Sequence, residues 1–542
     1  MTELETTDPH TKDKSSETQQ GLLKSGAIVS SMTMLSRMLG LLRDIVIAVF
    51  IGASANADAF FIAFKVPQFL RRLFAEGAFS QAFVPVLAEY KEAGSAQALQ
   101  LLLNRVSGVL GGSLLLVTSI MVIGAPLITV VFAPGFVSDP IKYSLTSHMI
   151  RITFPYLFLI SMTGFCGAVL NSYGRFAVPA FTPIWLNISL IVAAVWVSPQ
   201  LDEPVFALAW AVLVAGLVQL CFQLPFLARM QLLPRPVWHT EDEGVQQIMR
   251  LMVPALFGVS VSQLNLMLDT IIASFLPTGS VSWLYYSDRL MELPLGVFGI
   301  AIATVLLPNL SRFQANASET EFAETLDWGL RSILLIAFPA TAALIMLAEP
   351  ILLTLFQYGA LTVTDVSMTV LSLRAYTVGL IAFMLIKVLA PGYYARKDMK
   401  TPVKIGIKAM VANMVLNILL VIPFYYYWNI GHVGLALATS MAAFLNAGLL
   451  FSGLYRQGIY KFQLGWGRLV LQLLIATAGM VVLLWSLQVD SVLWLSWGWQ
   501  RRTLELGLLC VSGMASYLII LWMAGVRVSD FYTGSASQRQ DS

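Results

Sequence analysis

Long runs of apolar residues are the feature that most limits what this chain can fold into. The run GVLGGSLLLVTSIMVIGAPLITVVFA, residues 108–133, contains no charged side chain. A helix needs roughly 20 such residues to cross a bilayer, whereas the strands of a membrane β-barrel are segments of about 10 residues that alternate between apolar and polar. Only 12% of all residues are charged, and soluble domains contain about 25%. We therefore predict an all-α polytopic membrane protein.

The apolar runs divide into 14 predicted transmembrane helices. The second of them is unusually long, and we expect it to break near Gly77. The predicted spans are residues 24–52, 57–88, 99–132, 145–171, 178–198, 204–228, 246–276, 281–311, 323–346, 362–394, 401–424, 432–455, 466–487 and 502–525.

Lysine and arginine are concentrated in alternate loops, which predicts the orientation because positively charged loops stay in the cytoplasm. With a cytoplasmic N-terminus, the inside loops carry Lys91, Arg175, Arg229, Arg235, Arg312, Arg396, Lys397, Lys400, Arg456 and Lys461. The outside loops hold three exceptions, Lys142, Arg501 and Arg502. An even number of spans then places the C-terminus in the cytoplasm as well.

The sequence resembles itself at a spacing of about 225–230 residues. The segment SYGRFAVPAFTPIWLNI at 172–188 is similar to YYARKDMKTPVKIGIKAMVANMVLNI at 393–418. Since six spans separate the copies, both keep the same topology, and we predict two parallel six-helix lobes around a central cleft, followed by two extra helices. The predicted domains are a disordered cytosolic tail (1–21), an N-terminal lobe (22–230), a C-terminal lobe (231–458), the two extra helices (459–530) and a second tail (531–542).

Charged residues inside the predicted spans are candidate functional groups. The first span contains Arg37, Arg43 and Asp44, although an ionised side chain at the bilayer centre costs at least about 2.5 kcal/mol. Such residues must face a partner or a water-filled cavity. The second span adds Asp58, Lys65, Arg71, Arg72 and Glu76, and the eighth adds Asp288, Arg289 and Glu292.

Two alternatives apply to some of these charges. Arg71 and Arg72 are also explained as anchors at a helix end, and Asp288 with Arg289 as a structural ion pair. Arg37 and Arg43 lie away from the ends of their span, so anchoring explains them poorly. An excess of arginine indicates an anionic cargo, because the planar guanidinium group binds phosphate or carboxylate in a bidentate manner. We expect Arg37 and Arg43 to meet Arg289 across the cleft.

Other classes of protein are disfavoured. A net charge of +3 does not indicate nucleic-acid binding. Cys166, Cys221 and Cys510 lie within apolar runs and show no disulfide or metal-binding spacing. No Walker A motif is present, so we predict no cofactor and expect secondary transport. A non-transporting scaffold would not need intramembrane arginines, and a pump for cationic drugs would need an acidic cavity.

The segment AFFIAFKVPQFLRRLFAEGAFSQAFVPVLAEYK (59–91) resembles the bacterial MurJ (MviN) family. The segments GSVSWLYYSDRLMELPLGVFGIAIATVLLP (279–308) and VLAPGYYARKDMKTPVKI (388–405) match as well, and the resemblance extends from about residue 22 to 530. It implies a lipid II flippase of the multidrug/oligosaccharidyl-lipid/polysaccharide exporter superfamily, located in the inner membrane and working by alternating access.

The resemblance also implies a substrate and a site. Lipid II, an undecaprenyl-diphosphate-linked disaccharide-pentapeptide, would move to the periplasmic leaflet for cell wall synthesis, with its tail along the last two helices. Membrane lipids and peptidoglycan synthases are further candidate partners. The family's substrate-binding positions correspond to Ser36, Arg37, Arg43, Asp58, Arg71 and Arg289, with Asp44, Lys65, Glu76, Asp288 and Glu292 as candidate neighbours in the cavity. An exporter of drugs, teichoic acid or O-antigen within the superfamily is the alternative.

A candidate site for a monovalent cation lies elsewhere in the chain. Asn413 and Asn417 share one helix face, Asp269 lies in the seventh span, and Thr439 lies in the twelfth. Carboxylate and amide oxygens suit a hard cation, and some members of the family hold sodium between these helices. The alternative is a hydrogen-bond clamp between Asp269 and the two asparagines. Coupling to such a cation or to the membrane potential is therefore expected.

Overall fold

The computed structural model describes the backbone of residues 9–527, and the side chains of residues 29–73, 78–256 and 263–527. Within these ranges the chain is helical and contains no β-strand. The side chain of Glu76 and the predicted tail 531–542 lie outside the described residues, as do residues 1–8. The first helix begins at Pro9, inside the segment predicted as a disordered tail, because polar residues can extend a helix that is already nucleated.

The first half of the chain contains ten helices among the described residues. They are α1 (Pro9–Ile51), α2 (Ala55–Arg71), α3 (Ser80–Glu92), α4 (Ala96–Ile123), α5 (Ala125–Phe132), α6 (Pro140–Thr153), α7 (Tyr156–Ser172), α8 (Ala177–Phe181), α9 (Pro183–Val192) and α10 (Val205–Arg229). A π-helical segment, Arg72–Phe79, joins α2 to α3. It includes Gly77, where the sequence predicts a break in the second span.

The second half continues the numbering within the described residues. Its helices are α11 (Glu243–Ala273), α12 (Ser280–Pro294), α13 (Ile300–Ala315), α14 (Glu319–Met346), α15 (Ala348–Leu355), α16 (Val363–Val378), α17 (Leu380–Tyr394), α18 (Lys400–Trp428), α19 (Gly431–Arg456), α20 (Trp466–Leu487), α21 (Ser491–Ser496) and α22 (Trp499–Met523). A π-helical segment, Leu295–Gly299, joins α12 to α13.

The chain forms two compact units. Unit 1 comprises Met1–Phe50, Ile62–Phe132 and Val137–Gln263, as far as these residues are described. In unit 1, α7 packs against α3, α4 and α10, and α10 packs against α9. Its aromatic core includes Phe83 and Phe165, whose ring centroids are 5.2 Å apart.

The loop 231–242 belongs to unit 1 because it is bound along α4. The amide of Val237 donates to Asn104 O at 3.0 Å, and the amide of Arg235 donates to Asn104 Oδ1 at 2.7 Å. A Cβ atom on Gly108 would lie 2.2 Å from Val237 O, so only glycine admits the loop at this point. The units therefore divide inside α11, whereas the sequence prediction begins the second lobe at residue 231.

Unit 2 comprises Ile51–Phe61, Ala133–Phe136 and Leu264–Ser542, as far as these residues are described. In unit 2, α18 packs along α19, and α14 packs against α13 and α17. The helices α20 and α22 pack against each other, with α20 also against α14 and α22 against α15. The last two long helices are thus attached to unit 2.

Eleven helices in the described part of the chain are long and apolar enough to cross a membrane. They are Ala96–Ile123, Pro140–Ser172, Ala177–Gln200, Val205–Arg229, Ser280–Ala315, Glu319–Met346, Val363–Tyr394, Lys400–Trp428, Gly431–Arg456, Trp466–Leu487 and Trp499–Met523. The other three predicted spans coincide with α1, with α2 to α3, and with α11. The first two of these carry many of the intramembrane charges, which lowers their hydropathy, and the count of 14 remains a prediction.

Two of the three cations that depart from the predicted charge pattern are buried in the protein. Lys142 is 8% exposed and Arg502 is 5% exposed. Arg502 donates hydrogen bonds to the carbonyl groups of Leu353, Trp494, Leu495, Trp497 and Gln357. These carbonyls terminate α15 and α21, so the guanidinium group of Arg502 compensates the negative ends of both helices.

Candidate functional site

A buried ion pair on α1 forms the centre of the first cluster of functional candidates. Nε and Nη2 of Arg43 donate to Asp44 Oδ1 at 2.9 and 2.7 Å. Arg43 is 7% exposed and Asp44 is 1% exposed. The two residues are adjacent in sequence, and the long arginine side chain folds back so that its guanidinium group reaches the carboxylate. A buried charge pair of this kind is tolerated only when its remaining donors also find partners.

Asn187 on α9 supplies one of those partners. Arg43 Nη1 donates to Asn187 Oδ1 at 3.0 Å, and Asn187 Nδ2 donates to the carbonyl oxygen of Ser36 at 3.0 Å. Asn187 therefore links Ser36 and Arg43, which lie about two turns apart on α1. Sequence reasoning used Asn187 only as a marker of the internal repeat and did not identify it as a member of the site.

A second cluster in unit 2 brings together all four residues predicted for the cation site. Asn413 and Asn417 on α18 donate through Nδ2 to Asp269 Oδ1 at 3.2 and 2.9 Å. The hydroxyl of Thr439 on α19 donates to Asp269 Oδ2 at 3.1 Å. Asn413 also donates to Asn265 Oδ1 at 3.0 Å. Asn265 is four residues before Asp269 on the same face of α11, and this spacing could have identified it.

The hydrogen-bond clamp that the sequence offered as an alternative is therefore present in unit 2. Both asparagines are fully buried. Their Oδ1 atoms, however, have no hydrogen-bond partner among the described residues. Buried amide oxygens normally have a partner, so these two amides have acceptor capacity that the described residues do not use. No group of three or more histidine, cysteine or acidic residues that could hold a metal occurs in the described part of the chain.

The internal repeat predicted from the sequence would place the two clusters at equivalent positions. The segment GLLRD (40–44) aligns with NLMLD (265–269), which pairs Asp44 with Asp269. Likewise Asn187 pairs with Asn417 in the two Asn-Ile motifs. In each unit an asparagine on the later helix thus bonds to a charged group on the earlier helix. The position of Arg43, however, is a leucine in the second copy, Leu268.

The other predicted arginines are more accessible. Arg37 is half-buried and forms no hydrogen bond or ion pair with any residue whose side chain is described. Arg71 donates to Gln68 Oε1 at 3.0 Å. Arg289 pairs with Glu292 at 3.0 Å and lies over the ring of Tyr285, 5.1 Å from its centroid. Lys65, Arg72 and Asp288 are half-buried.

Asp58 has a defined structural environment in unit 2. Its carboxylate accepts hydrogen bonds from the amide of Gly279 at 2.7 Å and from the amide and hydroxyl of Ser282 at 3.0 and 2.6 Å. Asp58 is 1% exposed. It therefore caps the N-terminus of α12, where a negative charge is favourable. Nearby, the ring of Phe61 stacks on Tyr285 with centroids 4.0 Å apart. This arrangement accounts for Asp58 through structure, independently of the substrate-binding role predicted for it.

Several charged residues in apolar helices were not identified from the sequence, among them Arg374 and Lys387. Arg374 lies within α16 and donates through Nε to Ile345 O at 3.2 Å. Lys387 lies within α17, and its Cγ would be 3.4 Å from a Cβ atom built on Gly299. Lys387 is exposed in the structure. The sequence could have identified both residues, because Arg374 interrupts the apolar run LSLRAYTVG and Lys387 interrupts the apolar run LIKVLAPG.

Comparisons with known proteins agree on one family. A family model described as Lipid II flippase MurJ matches residues 47–498. A probable lipid II flippase MurJ of Vibrio cholerae is 52% identical over 94% of this chain and 97% of its own length. The lipid II flippase MurJ of Burkholderia cenocepacia is 41% identical over 94% of this chain and 99% of its own length.

Solved structures extend the agreement to the fold. A lipid II flippase MurJ in an inward closed conformation superposes with a TM-score of 0.76 at 26% identity, covering 91% of this chain and 98% of that one. An inward-facing multidrug resistance MATE family transporter superposes with a TM-score of 0.64 at 15% identity, covering 80% of this chain and 98% of that one. The second likeness concerns the fold alone.

Proposed function

The chain belongs to the MurJ family of lipid II flippases, and from this premise we propose how its intramembrane charges act on the substrate. It is a transporter and not an enzyme: it moves lipid II from the cytoplasmic to the periplasmic leaflet of the inner membrane for peptidoglycan synthesis. The match to a flippase in an inward closed conformation is consistent with alternating access.

The diphosphate of lipid II is the part of the substrate that the arginines of α1 would bind. Arg37 is half-buried and has no bond to a described side chain or carbonyl. Arg43, one and two-thirds turns further along, is held by Asp44 and Asn187. An anion that approaches Arg37 can receive a bidentate contact from its planar guanidinium group. This available guanidinium beside a fixed ion pair is the observation that supports the proposal. That Arg289 joins the same diphosphate remains a prediction.

A complementation experiment tests this role. Arg37→Ala and Arg37→Lys are expressed in a bacterium depleted of its own flippase, with membrane levels checked by blot. We expect both to fail and lipid II to accumulate in the cytoplasmic leaflet, since lysine keeps the charge but loses the planar fork. Arg501→Ala, which removes an exposed arginine at the start of α22, serves as the control and should grow. Normal growth of Arg37→Ala would show that Arg37 does not bind the substrate, and growth of Arg37→Lys alone would reduce the contact to a simple positive charge.

We also propose that all 14 predicted spans cross the membrane and that both termini are cytoplasmic. The burial of Lys142 and Arg502 supports this orientation. The charge rule concerns cations in exposed loops, and these two cations are buried inside the protein. A cysteine at Ser138 should react with an impermeant thiol reagent added from the periplasm, and a cysteine at Lys397 should not. The opposite labelling pattern would reverse the orientation.

The cluster around Asp269 is the proposed site for a monovalent cation. The residues fit: Asn413 and Asn417 hold buried Oδ1 atoms without a described partner, and Asp269 and Thr439 add further oxygens. Rotation of each amide by 180° would turn its oxygen toward the carboxylate, an arrangement that is repulsive unless a cation lies between them. When bound, such a cation would supply positive charge at the position where unit 1 has Arg43.

Sodium titration tests the cation site. We expect sodium to raise the unfolding temperature of the purified wild-type protein, and we expect Asp269→Asn to abolish this rise. Potassium at equal ionic strength is the control for general salt effects. Equal stabilisation of wild type and Asp269→Asn by sodium would exclude the site and leave the hydrogen-bond clamp as its whole function.

The apolar surfaces of α20 and α22 are the proposed contact for the undecaprenyl tail. Exposed side chains on these helices include Leu471, Leu474, Val482, Leu508, Val511 and Ile519. An isoprenoid chain is apolar along its whole length, so contact with these side chains loses no hydrogen bonds of the tail. Photo-crosslinking from Leu508 to lipid II carrying its full tail should exceed crosslinking from Ile141, an exposed residue in unit 1.

A further inference from the structure

The loop between α19 and α20 presents an apolar side chain almost entirely outside the protein. Leu464 is 99% exposed, and Phe462, two residues earlier, is 58% exposed. The loop spans only residues 457–465, between two helices that are both able to cross a membrane. A loop this short must remain at the bilayer surface, so lipid is the apolar material within reach of Leu464.

Buried hydrogen bonds fix the shape of this loop. The carboxylate of Asp327, 3% exposed, accepts from the Tyr460 hydroxyl at 2.6 Å and from Trp466 Nε1 at 2.7 Å. Arg331 pairs with Asp327 at 2.5 Å and donates through Nη2 to Leu464 O at 3.1 Å. The backbone that carries Leu464 is thus held from α14. These hydrogen bonds hold the backbone at Leu464 in place. The exposure of the Leu464 side chain therefore follows from the fold.

The charge of the loop has one sign. Between Arg456 and Arg468 the sequence RQGIYKFQLGWGR contains three cations and no acidic residue. All three cations, Arg456, Lys461 and Arg468, are exposed. Basic segments beside a membrane surface are attracted by acidic lipid headgroups, and apolar side chains between them insert at the headgroup boundary.

A pocket of about 460 Å³ with a mixed polar and apolar lining adjoins the loop. Its lining includes Arg396 from the α17–α18 loop and Lys461, together with the polar side chains of Gln314, Ser318 and Gln457. One acidic residue, Glu319, also contributes. Two cations and several neutral donors can bind a phosphodiester with its glycerol substituents, and the apolar side chains of Phe313, Phe322 and Ile459 line the remainder of the pocket.

We propose that this loop and pocket form a binding site for an acidic phospholipid. The headgroup phosphate contacts Arg396 and Lys461 in the pocket, and Leu464 enters the lipid layer beside it. The site lies within unit 2 and uses none of the residues assigned to lipid II or to the cation. It therefore concerns how the flippase is held in its membrane and is separate from the proposal for transport.

Lipid binding by the purified full-length protein provides the first test. Phosphatidylglycerol or phosphatidylcholine is added to the detergent-solubilised chain, and bound lipid is counted by native mass spectrometry. We expect Arg396→Gln/Lys461→Gln to lose most of the preference for phosphatidylglycerol. The matched control, Arg175→Gln/Arg229→Gln, removes the same charge from exposed positions of unit 1. We expect this control to keep the preference for phosphatidylglycerol. Equal loss in both double variants would mean that binding follows net charge only and would overturn the site.

Insertion of Leu464 provides the second test. A Leu464→Cys variant in which Cys221 and Cys510, the exposed cysteines, are serine is labelled with an environment-sensitive dye and placed in nanodiscs. Lipids that carry a spin label near the headgroup should quench this dye several-fold more than a dye at Gln97→Cys, an exposed polar position of unit 1, and phosphatidylglycerol should increase the difference. Equal quenching at both positions would overturn the insertion. Selective retention of lipid II instead of phosphatidylglycerol by the pocket would assign it to the substrate and would also overturn the proposal.

Discussion

The two asparagine–carboxylate clusters, which the predicted repeat would place at equivalent positions, differ in the charge that they contain. In unit 1 the guanidinium group of Arg43 lies between Asp44 and Asn187 and bonds to both. In unit 2 the equivalent of Arg43 is Leu268, and Asn413 and Asn417 donate directly to Asp269. The cluster of unit 1 therefore contains an arginine side chain as its cation, whereas the carboxylate of the unit 2 cluster is bonded by uncharged donors.

This difference separates a cluster that carries its own cation from one that does not. The guanidinium group of Arg43 bonds α1, the helix that also carries Arg37, to Asn187 on α9. In unit 2 the described hydrogen bonds to the carboxylate of Asp269 come from neutral donors, and we propose that a small cation binds there. Buried carboxylates need a positive or hydrogen-bonding partner. In unit 1 Asp44 is paired with the charged Arg43, and in unit 2 Asp269 is bonded by neutral amide and hydroxyl groups.

Arg43→Leu is expected to have the largest effect, because it gives unit 1 the residue found in unit 2 and leaves Asp44 buried without its guanidinium partner. We expect a loss of about 3–5 kcal/mol in the free energy of unfolding, as for other broken buried ion pairs, and no complementation. Denaturant unfolding of the purified protein in detergent gives the first quantity. The double variant Arg43→Leu/Asp44→Asn should recover most of the stability without recovering growth. If the double variant supports growth, Arg43 is needed only to neutralise Asp44.

Leu268→Arg makes the reverse exchange and is expected to have an intermediate effect. Leu268 is half-buried, and a longer side chain should cost about 1–3 kcal/mol through overpacking. The new guanidinium group should reach Asp269 as Arg43 reaches Asp44. We therefore expect the sodium-induced rise in unfolding temperature to disappear while the protein remains folded. Leu268→Met, which alters packing without charge, should keep the rise, and an unchanged response in Leu268→Arg would contradict the equivalence of the two clusters.

Thr439→Val is expected to have the smallest effect, because it removes one hydroxyl and preserves the shape of the side chain. The lost hydrogen bond to Asp269 should lower the free energy of unfolding by about 1 kcal/mol. The sodium response should weaken without vanishing, since Asp269 and the two asparagines remain. Thr377→Val is the matched control, because among the described residues the Thr377 hydroxyl bonds only to a carbonyl of its own helix, Leu373 O, at 2.7 Å. An equal decrease in both variants would separate Thr439 from the cation site.

The sequence alone was sufficient for the membrane class, the helical fold and the family. Hydropathy is a local property, so runs such as 108–133 reveal a membrane helix without any knowledge of its neighbours. The same holds for intramembrane charges, whose cost makes each of them informative wherever it occurs. The motif at 59–91 led to the flippase family, and the spacing of Asn413 and Asn417 led to the cluster around Asp269.

Only the tertiary structure decided the partners of those charges. Nothing local in the sequence indicates that Arg43 bonds to Asn187, more than a hundred residues away, or that Asp58 caps α12. Arg502 appears in the sequence as an exception to the charge rule, and the structure identifies it as a clamp on the ends of two helices. The physical reason is the same in each case: the cost of burying a charge depends on one residue and its depth, whereas its compensation depends on which distant groups the packing of the helices brings within about 3 Å.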